Sequence, residues 1–75
     1  MERYKNLSGN SGVVAYDIGD DSITVQFSDG ATYLYNYQKT GARNIEHMKE
    51  LAVAGRGLNT FINKHVKKMY ASKIR

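Results

Sequence analysis

Few residues in this chain have the types or spacing to carry chemistry. Histidine occurs twice, at His47 and His65, and cysteine is absent. A nucleophile needs a base within hydrogen-bond reach, and a metal centre needs clustered ligands. The two histidines fall on different expected helices, His65 on an apolar stripe and His47 near an exposed side, so neither arrangement forms. Asp17, Asp20 and Asp21 crowd one turn but lack the alternating oxygen ligands and closing glutamate of an EF-hand loop. Turn chemistry accounts for them, because aspartate tolerates the backbone geometry a turn requires. Gly55-Arg56-Gly57 precedes a helix but lacks the preceding strand and the lysine-hydroxyl ending of a P-loop. It leaves one arginine and a few backbone amides able to meet a single phosphate. The expectation is a non-enzyme with no cofactor and no metal.

The stronger chemical signal is cationic. The chain has 11 Lys and Arg against 7 Asp and Glu, a net charge of +4. Residues 1–38 carry Arg3 and Lys5 against five acids, which is −3; residues 39–75 carry nine bases against Glu46 and Glu50, which is +7. Such polarity suggests one side that faces a polyanion. On the second expected helix, Lys64, Lys67 and Lys68 occupy neighbouring positions of one face, with Asn59 and Asn63 one turn earlier. Arg56, Lys73 and Arg75 extend the patch. Ammonium groups attract phosphates without reading sequence, so binding through them is modest and salt-sensitive. A lysine face is also what any solvated amphipathic helix presents.

The element that must organise these residues is the stretch Ser22–Tyr37. Ile23, Val25 and Phe27 alternate with Thr24, Gln26 and Ser28, then Asp29-Gly30 intervenes, and Tyr33, Tyr35 and Tyr37 follow two residues apart. Two alternating runs around Asp-Gly predict a β-hairpin. A two-residue loop places the tyrosines on the polar face with Thr24 and Gln26, where Tyr35 and Tyr37 could stack on bases. A three-residue loop, Ser28-Asp29-Gly30, pairs Phe27 with Ala31 and Val25 with Tyr33, turning the tyrosines towards the core. One residue of slip exchanges the faces. The longer loop is favoured, because a 75-residue chain needs those rings to build a core.

Val13–Ile18 reads as a preceding strand rich in β-branched residues, and residues 1–10 as a flexible lead-in from which Tyr4 or Leu7 can pack on the sheet. After Tyr37 the period changes. Ile45, Met48, Leu51 and Ala52 recur at helical spacing, with Thr40 and Asn44 both candidates for the cap and Gly55 for the left-handed stop. Leu58, Phe61, Ile62, His65, Val66 and Met69 form the stripe of a second helix, and residues 71–75 a last turn or a tail. The expected fold is a single α+β domain, a three-stranded antiparallel meander followed by two helices on one face, β-β-β-α-α.

These elements resemble the KTSC family, named for a module at the C-terminal end of some lysyl-tRNA synthetases. The resemblance runs from about Asn10 to Tyr70 and is carried by NSGVVAYD, by VQFSDGATYLY with its V-x-F, glycine turn and Y-x-Y, and by AVAGRGLNTFINKHVKKMY. Two departures stand out. Leu58 replaces the aromatic expected after the Gly55–Gly57 turn, and the segment between sheet and first helix has no proline. The resemblance implies a small module, stand-alone or appended, for which RNA binding is suggested by association with the synthetase.

Two functions follow. The first is a non-catalytic nucleic-acid-binding module, RNA foremost, acting through Arg56, Asn59, Asn63, Lys64, Lys67, Lys68 and Lys73. The second is a protein-interaction or adaptor domain, a small bacterial or phage accessory protein, in which a sheet edge accepts another strand or a second copy. In that case Leu34 or Tyr37 on the sheet would matter more than the lysines. No stretch has the ~20 apolar residues of a membrane helix and the first residues lack a secretory signal, so a cytoplasmic protein without membrane contact is expected.

Overall fold

The computed structural model describes residues 1–9 and 11–75. Asn10, where the family resemblance begins and the expected lead-in ends, lies outside the described residues. Three strands form the centre: β2 (Val13–Ile18), β3 (Ser22–Phe27) and β4 (Thr32–Asn36). Two more flank them, β1 (Glu2–Arg3) on β2 and β5 (Ser72–Lys73) on β4. The sheet is antiparallel throughout, in the order β1-β2-β3-β4-β5. The expected meander is therefore the middle of a five-stranded sheet.

The loop between β3 and β4 settles the register. The amide of Gly30 donates to the Phe27 carbonyl at 2.9 Å, and the amide of Phe27 to the Ala31 carbonyl at 2.8 Å. Gly30 has φ +93°, the left-handed region that a side chain would resist. The loop is thus the three-residue form, Val25 pairs with Tyr33 and Ile23 with Tyr35. Tyr35 consequently points inward and is buried. In β2 the register shifts between Val13 and Ala15, leaving Val14 as an extra, exposed residue. That bulge puts Val13 and Tyr16, three apart, on the same buried face.

Four helical segments follow β4. A single turn, α1 (Tyr37–Thr40), is capped by Asn36, whose side chain accepts from the Lys39 amide at 2.9 Å. The long helix α2 (Ala42–Ala54) begins at Gly41 with no side-chain cap and stops at Gly55, φ +82°. Thr40 and Asn44, the two alternative candidates for that cap, do other work. The Thr40 hydroxyl donates to the Met69 carbonyl, and the Asn44 amide donates back to the Thr40 carbonyl. The short helix α3 (Leu58–Phe61) runs into a π-helical turn, Ile62–Val66. Helical winding therefore ends at Val66, short of the expected Met69.

The helices share one face of the sheet, as the amphipathic pattern requires. Ile45, Met48 and Ala52 of α2, with Leu58, Ile62 and Val66, form one cluster with Val13, Tyr16, Ile23, Val25 and Tyr35. The buried Val, Leu, Ile and Met side chains among them each stabilise by about 1.5–3 kcal/mol. Of the expected second-helix stripe, Leu58, Ile62 and Val66, spaced four apart, are buried and Phe61 is half-buried against the core, while His65 and Met69 are exposed. The wider π turn supplies the reason, because it rotates positions four apart back into line. The expected lead-in also joins the fold. Tyr4 is buried, its amide bonds the Val14 carbonyl, and its hydroxyl accepts from the Leu58 amide at 3.3 Å, whereas Leu7 is exposed. At the other end Ala71 donates to the Leu34 carbonyl and Ile74 to Thr32, so the expected tail is an edge strand.

Candidate nucleic-acid interface

The basic residues of the C-terminal third are distributed by what the chain does after Val66. Helical winding stops, the Met69 amide closes a turn on the Val66 carbonyl, and the Met69 carbonyl is tied at 2.6 Å to the Thr40 hydroxyl. The chain then crosses to the sheet edge as β5. This route lays Tyr70 against Tyr33, ring centroids 4.8 Å apart, and aligns Lys73 with Tyr33 across the β4–β5 ladder.

Between the β3–β4 hairpin and this crossing segment lies an open groove of ≈ 490 Å³. The hairpin contributes Phe27, Tyr33 and Tyr35, and the C-terminal segment contributes Asn63, Lys67, Lys68 and Tyr70. Tyr33 is the hub of its aromatic wall. Phe27 meets it edge-on at 5.9 Å, Tyr35 lies 6.4 Å away, and the Lys73 Nζ sits 5.9 Å from its ring centre on a cation–π approach. Ile62 also lines it, and Asp29 brings one carboxylate to the hairpin side.

The electrostatics favour an anion. Among the described residues the ion pairs are Lys49–Glu46 at 2.9 Å and His47–Glu50 at 3.5 Å. Lys67, Lys68 and Lys73 are thus exposed cations without a carboxylate partner. Asp29 is partly engaged, since its Oδ1 accepts from the Ala31 amide at 3.0 Å. Burial, with smaller contributions from the Tyr33 and Tyr70 phenols, pushes the Tyr35 hydroxyl up to about 12, so it is a neutral donor at physiological pH.

The sequence-derived residues divide accordingly. Asn63, Lys67 and Lys68 line the groove, and Lys73 flanks it through Tyr33. Asn59 is half-buried at the Gly12 end, where its Oδ1 lies 3.4 Å from the position a Gly12 Cβ would take. Lys64 and Arg56 are exposed but do not line the groove. Arg56 sits in the turn between α2 and α3, where the Leu58 amide is already taken by the Tyr4 hydroxyl. Neither stacking candidate presents its ring on the polar sheet face. The Tyr35 ring is in the core, 1 % exposed. Tyr37 begins α1 and donates at 2.6 Å to Glu46; this bond raises the Tyr37 pKa and, with Lys49, holds the Glu46 pKa below its usual value.

Phe27, Tyr33 and Tyr70 are the aromatic groove residues outside the sequence-derived set. Alternation marks the first two as core-facing once the three-residue loop is adopted. Tyr70 follows the end of the helix and carries no periodic signal. Elsewhere, His47 and His65 flank Phe61 at 4.8 and 4.9 Å. Among the described residues no group of three or more His, Cys, Asp or Glu gathers as a metal site, and no helix is long and apolar enough to cross a membrane. No protein-family model, curated protein or solved structure matches the chain.

Proposed function

We propose that this chain is a non-catalytic nucleic-acid-binding module whose ligand is RNA, held along the C-terminal segment by Lys67, Lys68 and Lys73. The observation that carries the reading is the association of three uncompensated ammonium groups with one aromatic-walled groove. Phosphates would meet the lysines and release counterions, which makes affinity modest and steeply salt-dependent. Asn63, within the same groove, supplies a side-chain amide for sugar or phosphate contacts. The resemblance to the KTSC family points the same way through its association with a synthetase.

The test is fluorescence anisotropy with short single-stranded RNA, hairpin RNA and duplex DNA over a salt series. Micromolar binding that weakens steeply with salt and prefers RNA supports the reading. A folded sample that binds nothing at low salt sinks it. The adaptor alternative would draw instead on the outer sheet face, where Thr24, Gln26 and Leu34 are half-exposed, and would leave those lysines dispensable.

A further inference from the structure

We infer that the groove between the β3–β4 hairpin and the Lys67–Tyr70 segment is a receptor for one unstacked nucleobase, so that the strand bound is single-stranded. The inference rests on the nucleic-acid reading above and adds what the lysines alone do not require. Lysines on a convex surface bind a duplex or a single strand by the same phosphate attraction, but here they rim a concavity. Its volume, ≈ 490 Å³, lies in the range of small-molecule pockets, about 300–1,000 Å³.

The lining suits a flat heteroaromatic ring. Phe27, Tyr33 and Tyr70 supply π faces and edges without sequence preference, as in stacking platforms for single strands. Tyr35, buried in the core beneath them, backs that lining. Bases inside a duplex are paired and stacked and cannot enter such a concavity, whereas an unpaired base can be splayed into it.

Charge gives the strand a path. Lys67, Lys68 and Lys73 lie on the C-terminal side and Asp29 on the hairpin side. The phosphates flanking an inserted base therefore follow the lysine side, away from the Asp29 carboxylate. Asp29→Asn keeps the side-chain acceptor of the turn and removes the repulsion, so it should tighten binding several-fold at low salt.

The experiment compares the full chain's affinity for three labelled ligands of equal charge: a mixed-sequence single-stranded RNA, a strand of abasic units, and an RNA duplex. The expected result is binding about ten-fold tighter to the mixed-sequence strand than to either of the others. Tyr70→Ala should erase that preference without changing the salt slope, with circular dichroism verifying the fold. Equal affinity for all three ligands overturns the base receptor while leaving the lysine-dependent nucleic-acid reading in place. Failure to bind any of them at low salt overturns both. The abasic comparison needs no variant, so a misfolded Tyr70→Ala does not blunt the test.

Discussion

The rings of Tyr33 and Tyr70 lie 4.8 Å apart at an interplanar angle of 49°, joining the middle of the sheet to a segment that follows the last helical turn. Tyr33 also pairs with Lys73 through the backbone, so one tyrosine meets the C-terminal segment by its ring and by its main chain. The Thr40–Met69 hydrogen bond holds the same segment from the helical side. Tethered at three places, Lys67–Lys73 forms a wall opposite the hairpin rather than a loose tail.

The lysines should separate by position, not by charge. Lys67→Ala, Lys68→Ala and Lys73→Ala should each weaken RNA binding and lower the salt slope by about 0.7 for each phosphate left without its ammonium partner. Lys64→Ala, equally basic but outside the groove, should change little. Anisotropy titrations at four salt concentrations check this, and equal losses at all four positions would point to diffuse attraction by the whole basic half.

Tyr35 ties stability to alkaline pH. Its folded-state ionisation, pushed by burial to about 12, lies above the unfolded value of about 10. Below pH 10 both states keep the proton and the full stability is present. As pH rises from 10 to 12 the unfolded chain loses the proton first, so the folded state weakens. The loss should be about 1–2 kcal/mol after allowance for solvent entering the groove. Urea unfolding of the wild type and Tyr35→Phe at pH 8, 10 and 11.5 tests it; the variant should decline less steeply.

Two glycines should respond unequally to alanine. Gly30 has φ +93° and open space where a Cβ would stand, so Gly30→Ala should cost about 1 kcal/mol from backbone strain alone. At Gly55, φ +82°, an added Cβ would come within 2.6 Å of the Lys5 Cβ, and the Gly55 carbonyl accepts from Leu7. Gly55→Ala should therefore cost upward of about 2 kcal/mol and loosen β1. Thermal unfolding of both variants decides; equal losses would refute the crowding at Lys5.

Thr40→Val removes the hydroxyl that donates at 2.6 Å to the Met69 carbonyl while nearly preserving side-chain shape. It should destabilise by about 1–2 kcal/mol. Amide exchange at Ala71, whose N–H bonds Leu34, should accelerate as the crossing segment loosens. Unchanged exchange would show that the β4–β5 ladder holds the segment without Thr40.

Much of this fold is legible from local pattern. Alternation in Ser22–Phe27 and Thr32–Asn36, with Asp29-Gly30 between, determines a hairpin. The need of a short chain for core volume selects the loop that buries Tyr35. Helical spacing of Ile45, Met48 and Ala52 with a glycine stop at Gly55 determines α2. Composition places the positive charge in the C-terminal half. Periodicity encodes these features because each is a property of residues a few positions apart.

The groove is decided elsewhere. Two-residue strands such as Glu2–Arg3 and Ser72–Lys73 have no period to detect, and they form because exposed edges of the central sheet leave backbone groups unpaired. A helical wheel gathers Lys64, Lys67 and Lys68 on one face, but the π turn and the end of winding at Val66 break that projection. Lys67 and Lys68 line the groove and Lys64 does not. Tyr70 and Lys73 reach Tyr33 only because hydrogen bonds to Thr40 and Leu34 fold the chain back across the sheet. Those bonds join residues far apart in sequence, and no local pattern specifies them.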